Sequence, residues 1–147
     1  MRQASAPRKA QVNAVLGGVA DLSQYRRYTR KLFSRDRISL GRNNLHGTLT
    51  TNGGLYRITW RENPKKAIYV GKAKSIRQRI YNNLMKGQIR SHTLKRKLIR
   101  TNFCLEGDEK IYLSNRCMVQ YIELDDPRER TFLEHYIIAA ERPRFND

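Results

Sequence analysis

Five residues in the latter part of the chain have side chains whose chemistries complement one another. Tyr56 stands two places after Gly54, and Tyr69 stands two places before Gly71. Lys72 follows Gly71 directly, and Arg79 lies eight places beyond it. Glu134 comes much later, with Ile137 and Ile138 three and four places on. Taken singly, each has a plain structural reading. Tyr56 is a core aromatic, Lys72 a turn lysine, Arg79 a solvated cation, and Gly71 a turn or a close backbone approach. Glu134 on an apolar helix is either an edge residue that reaches solvent or pairs with an arginine, or a carboxylate that holds a divalent cation through oxygen.

The elements that position these groups can be read from period and punctuation. "LYRITW" alternates, with Tyr56, Ile58 and Trp60 on one face, as a half-buried strand does. "RENPKK" is a turn and "AIYV" a second strand, so the two form an antiparallel hairpin. Helices are expected at 75–86 and 91–101, with Ser75 and Ser91 as N-caps. Ile76, Ile80 and Leu84 make the seam of the first, flanked by Arg77 and Arg79. "IYLS" and "RCMVQYIEL" are further strand candidates, the second the clearer. In "DDPRERTFLEHYIIAAERP", Asp126 caps, Pro127 takes the first helical position and Glu129 completes a capping box. Phe132, Leu133, Tyr136, Ile137 and Ala140 form that helix's core face, widened by Ile138. The expected fold is α/β of the α+β kind: a small three-stranded, mixed or antiparallel sheet flanked by helices.

Ahead of this unit (54–147), residues 1–10 read as a disordered basic arm and 11–53 as a basic helical extension with a Gly/Asn/Thr-rich linker. Ser23 caps the helix "QYRRYTRKLF". The chain carries 30 Lys+Arg against 13 Asp+Glu, a formal charge of +17, and about half of the excess precedes residue 54. Self-repulsion on that scale points to a polyanionic partner, nucleic acid before a membrane surface. Arg26, Arg27, Arg30 and Lys31, then Lys74 and Arg77, then Lys95, Arg96, Lys97 and Arg100 are the expected phosphate-tracking residues. No apolar run is long enough for a membrane span, and no signal-peptide core is present. Cys104 and Cys117 lack CxxC spacing, which suits buried thiols in a reducing compartment, cytoplasmic or nucleoid-associated. The three histidines have no partners at ligand spacing, which argues against zinc.

Together the residues from Gly54 onward resemble the GIY-YIG nuclease family. "Gly54-Leu55-Tyr56" stands at its first motif, "Tyr69-Val70-Gly71" at its second, and "GKAKSIRQRI" is similar to the version in excision-repair incision proteins. The family's arginine falls on Arg79, its metal-binding glutamate on Glu134 and its late asparagine on Asn146. Many relatives have His or Tyr four places after the arginine; here it is Asn83, which cannot act as a base near neutral pH. The resemblance implies a DNA endonuclease using one Mg²⁺ or Mn²⁺ at Glu134. Arg79 would bind phosphoryl oxygens, Tyr56 would take a proton from water with Lys72 lowering its pKa, and Tyr69 would orient the water or phosphate. Gly54 and Gly71 allow close backbone approach, and Asn146 ties down the C-terminal end. Double-stranded DNA is the expected substrate, with a homo-oligomer possible on it. The alternative is a DNA- or ribosome-associated binder that keeps the fold without the chemistry.

Overall fold

The hairpin expected from the sequence is the centre of the fold. The structure, a computed structural model, describes residues 21–146; the expected arm (1–10) and the start of the helical extension (11–20) lie outside the described residues. Strands β2 (Gly54–Trp60) and β3 (Asn63–Ala73) pair antiparallel, with Tyr56 opposite Gly71 and Ile58 opposite Tyr69. Strand β4 (Cys117–Glu123) pairs antiparallel with the other edge of β2, setting Tyr56 opposite Tyr121. A two-residue strand β1 (Ile38–Ser39), from the segment read as extension and linker, adds to β4. The sheet is therefore four-stranded, in the order β1-β4-β2-β3, one short strand more than expected.

Helices cover both faces, which is why β2 is buried along nearly its whole length rather than at alternate positions. On one face lie α2 (Leu45–Thr48), α3 (Gln78–Lys86, wound as a π-helix), α4 (Thr93–Arg100) and α5 (Glu109–Arg116). Their Leu45, Ile80, Leu84, Leu94, Leu98 and Leu113 pack with Tyr56, Ile58 and Tyr69. On the other face α1 (Ser23–Ser34) and α6 (Pro127–Glu141) bring Leu32, Leu133 and Ile137 onto Leu55, Val70 and Ile122. Each such fully buried aliphatic contributes about 1.5–3 kcal/mol. Leu133 and Ile137 thereby fix the rotation of α6, and Glu134, next to Leu133, sits at the helix's half-buried margin.

Arg57 points from β2 into the α1/α6 layer and is only 2% exposed. A buried guanidinium requires partners. It lies 4.1 Å over the Phe33 ring, donates to Gln120 Oε1 at 2.6 Å, and has Glu141 at 3.5 Å. Gln120 in turn donates to the Phe33 and Arg35 carbonyls. These bonds lock the end of α1 to the sheet.

Five expectations require correction. Ser23 is the first residue inside α1, with Leu22 at the N-cap position and no side-chain cap. "IYLS" lies inside α5, where Asp108 precedes the helix and Glu109 occupies its first turn; of its three successive apolar residues only Leu113 is buried, and Ile111 is 62% exposed. Ser91 ends a 3₁₀ turn (Ile89–Ser91), and the cap of α4 is His92, whose Nδ1 accepts from the Leu94 amide at 3.1 Å. Phe132 is exposed beneath the Arg128 guanidinium, and Ala140 is exposed too, because α6 meets the sheet along a narrow strip. Lys95 is buried, as described below. By contrast, Ser75 Oγ accepts from Gln78 N at 3.2 Å, and Asp126 accepts from Arg128 N at 2.9 Å with Pro127 opening α6.

Candidate active site

The sheet register places the two phenols on one face. Their ring centroids are 6.2 Å apart. Gly71, directly across from Tyr56, lacks the side chain that would block it: a Cβ there would stand 2.5 Å from Tyr56 Oη. Tyr56 is fully buried, whereas Tyr69 keeps 8% of its surface. Burial pushes the Tyr56 hydroxyl well above the ordinary phenol range; neighbouring Tyr69 raises it further, and Arg79 pulls it back. Tyr69 is also raised by burial, with Arg79 opposing and Glu134 reinforcing the shift. A hydroxyl without exposed surface cannot meet an attacking water directly, so the reading of Tyr56 as the immediate proton acceptor does not fit this geometry. Tyr69 has the better access.

Arg79 leaves α3 toward both phenols, and its charge favours the ionised form of each. Its Nη1 donates to the Ser91 carbonyl at 3.1 Å, which holds the fork in place. Arg77 points elsewhere, and its Nε donates to the Leu49 carbonyl at 3.0 Å. The sequence reading missed a further member of the cluster. His92 Nε2 lies 2.8 Å from Tyr56 Oη, and its ring centroid is 5.1 Å from that of Tyr69. Burial, with Arg79, Lys95 and Arg96 nearby, pushes its pKa down to about 3, so the ring is neutral. The only sequence signal for it was "SHT" just before an apolar period, and Ser is ordinarily the stronger cap there.

Glu134 faces the cluster from α6. Burial raises its carboxyl above the usual range, while the nearby Lys72, His135 and Arg79 charges favour the carboxylate. A half-buried oxygen donor beside phenols fits a hard divalent cation, which commonly keeps several waters and takes few protein ligands. The Lys72 side chain is exposed and donates from Nζ to Thr131 Oγ1 at 2.8 Å, lying along α6 rather than over Tyr56. Asn146 makes two bonds to Val70, accepting from its N–H at 2.7 Å and donating to its carbonyl at 2.8 Å, and so extends β3 like a strand neighbour. At Gly54 any Cβ would collide with the Ile122 carbonyl of β4.

Among the expected phosphate-tracking residues, Arg26, Arg27, Arg30, Lys31, Lys74 and Arg100 are exposed, and Arg77, Arg96 and Lys97 are partly buried. Arg96 is tied to the Arg90 carbonyl and Thr93. Lys95 is only 1% exposed and donates from Nζ to the Gly87 carbonyl at 2.5 Å, so it serves the loop before α4 and not a ligand. Lys31 also lines an open groove of about 750 Å³ together with Arg35, Arg37, Arg42, Tyr121 and Glu123. Among the described residues no helix is long and apolar enough to cross a membrane.

No family model matches the chain. UvrABC system protein C of Solibacter usitatus (strain Ellin6076) is 33% identical over 102 residues, which is 68% of this chain and 13% of that protein. The chain thus spans about an eighth of the length of that relative. Among solved structures, a Tyr-to-Phe point mutant of the GIY-YIG N-terminal endonuclease domain of UvrC from Thermotoga maritima, bound to its catalytic divalent cation, overlaps at a TM-score of 0.47 and 18% identity, over 72% of this chain and 98% of that one. The same domain with magnesium overlaps at 0.45 and 20%, over 72% and 99%. Both overlaps are loose, and the account of the fold stands on the strand register and cores above.

Proposed function

We propose that this chain belongs to the GIY-YIG nuclease family and is an endonuclease that hydrolyses phosphodiester bonds in double-stranded DNA with a single Mg²⁺ or Mn²⁺ at Glu134. One observation carries the proposal. The Tyr56 and Tyr69 rings, 6.2 Å apart, lie beside the Arg79 guanidinium that the Ser91 carbonyl holds, and the Glu134 carboxylate faces them from α6.

A phosphodiester resists hydrolysis because its charge repels nucleophiles and its leaving oxygen is poor. A divalent cation, when bound, neutralises phosphoryl charge and stabilises the departing oxygen. Glu134 would hold it; burial raises that carboxyl, and the Lys72 and Arg79 charges oppose the shift and favour the carboxylate. Arg79, steadied by the Ser91 carbonyl, presents a planar fork to phosphoryl oxygens, a geometry a lysine cannot reproduce. Tyr69, which keeps exposed surface, orients the water; burial raises its hydroxyl against the pull of Arg79, so accepting the proton takes the added positive charge of the bound cation. Tyr56 supports it from behind. The exposed Arg26, Arg27, Arg30 and Lys31 of α1, with Lys74 and Arg100, track the backbone and position without reading sequence. One metal site makes one nick, so cutting both strands takes a homo-oligomer on DNA or two events.

Incubation with supercoiled plasmid, linear duplex and single-stranded DNA, in Mg²⁺ and in EDTA, tests this reading. Nicked circles formed only with metal are expected. Tight binding without cleavage under every condition would leave a nucleic-acid binder.

A further inference from the structure

The Tyr56–His92 contact has a defined direction. The Leu94 backbone amide can only donate, so His92 Nδ1, 3.1 Å away, must present its lone pair. The ring is 1% exposed and neutral, and a neutral imidazole carries one proton. That proton is therefore on Nε2, 2.8 Å from Tyr56 Oη. Resting on the nuclease reading above, we propose that His92 is a positioning residue for the reaction: its Nε2–H donates to Tyr56 and fixes that hydroxyl as an acceptor. The tyrosine's own proton must then be given away from His92.

Three features set this arrangement. The helix cap chooses the tautomer, so a folding element determines the donor at the site. Gly71 leaves room for Tyr56 Oη, where any Cβ would intrude. The Arg79 guanidinium is bonded to the carbonyl of Ser91, one residue before the imidazole, so α3 and the start of α4 are tied together beside both phenols. Asn83 cannot act as a base, and His92 reaches the phenols from a different element. Being neutral and buried, it acts as a fixed donor and not as a proton shuttle.

Two substitutions separate capping from donation. In His92→Asn the short amide oxygen can still cap Leu94 N–H, but nothing reaches Tyr56. In His92→Gln the amide nitrogen extends about as far as Nε2, while the cap is lost. The proposal expects His92→Asn to stay folded with turnover down about tenfold, and His92→Gln to be less stable but within about threefold of wild type per folded molecule. In a Tyr56→Phe background, His92→Asn should cause no further loss. Nitrogen-15 NMR of the wild-type protein should place the single ring proton of His92 on Nε2 at neutral pH and at pH 5. A proton on Nδ1, full turnover in His92→Asn, or losses that multiply with Tyr56→Phe would overturn the proposal. A wild-type protein without metal-dependent cleavage would overturn the nuclease reading instead, and the tautomer measurement still decides the donor assignment.

Discussion

Gly71 runs directly beneath Tyr56: a methyl group at residue 71 would stand 2.5 Å from both Cζ and Oη of that ring. Because the two are paired across β2 and β3, neither strand can yield without disturbing the ladder. Gly71→Ala should cost about 1–3 kcal/mol of stability through overpacking. It should also reduce turnover more than tenfold in the molecules that remain folded, since about 1.4 kcal/mol of lost transition-state stabilisation already corresponds to tenfold. Urea unfolding together with kcat measures both. Unchanged kcat would mean that the position of Tyr56 is irrelevant to the chemistry.

Arg77 and Arg79 lie two residues apart and do different work. Arg79 lies beside the phenols and donates to the Ser91 carbonyl, whereas Arg77 braces the Leu49 carbonyl. Arg79→Ala should reduce turnover by orders of magnitude. Arg77→Ala should leave kcat within a few-fold and cost about 1–2 kcal/mol of stability for a lost hydrogen bond to a charged donor. Equal losses of kcat in the two variants would contradict the assignment.

His92 links stability to pH. Its folded pKa of about 3 lies below the ordinary value of 6.5, so between these values the unfolded chain binds a proton that the folded chain refuses. Its contribution is therefore intact above about pH 6.5 and is lost as pH falls toward 3, by about 1.4 kcal/mol per pH unit at most. Between pH 7 and pH 5 the wild-type protein should lose about 2 kcal/mol more than His92→Asn. Parallel urea curves at the two pH values report the difference, and identical losses would show that His92 titrates normally in the fold.

Arg26, Arg27 and Arg30 are exposed along α1, and Lys95 is buried in the fold. Changing the three arginines to Gln should flatten the dependence of log K on log salt by up to about 0.9 per lost phosphate contact. Turnover at saturating DNA should not change. Lys95→Ala should leave that slope alone and instead cost about 1–3 kcal/mol, because the Gly87 carbonyl loses its donor. A slope that moves with Lys95 and not with the arginines would reverse these roles.

Much of the site was legible because motif spacing is a covalent fact. The hairpin and the capped α6 follow from local chemistry, and Tyr56, Tyr69, Arg79 and Glu134 were picked out as candidates by the resemblance their motifs carry. Asn83 likewise signalled that this chain departs from many relatives. What could not be read is depth. Tyr56 is fully buried with His92, the cap of α4, on its hydroxyl, and nothing within β2 encodes where a residue nearly forty places later will lie. The same packing turns His92 from an unpartnered residue into a cap and donor, and turns Lys95 inward from an apparently solvated run. Ile38–Ser39 escaped notice because two residues make no periodic signal; β4 supplies the order. Arg57 is buried among partners from four segments, so its neighbours in sequence offer no hint of it.

Glu134 is the most direct test. Wild-type protein and Glu134→Gln, an isosteric change that removes the negative charge, should be compared on supercoiled plasmid with Mg²⁺ and with EDTA, and DNA affinity measured for both. The account predicts metal-dependent nicking by wild type, none by the variant, and affinities within a few-fold of each other. Nicking by Glu134→Gln at the wild-type rate, or by wild type at full rate in EDTA, would contradict it.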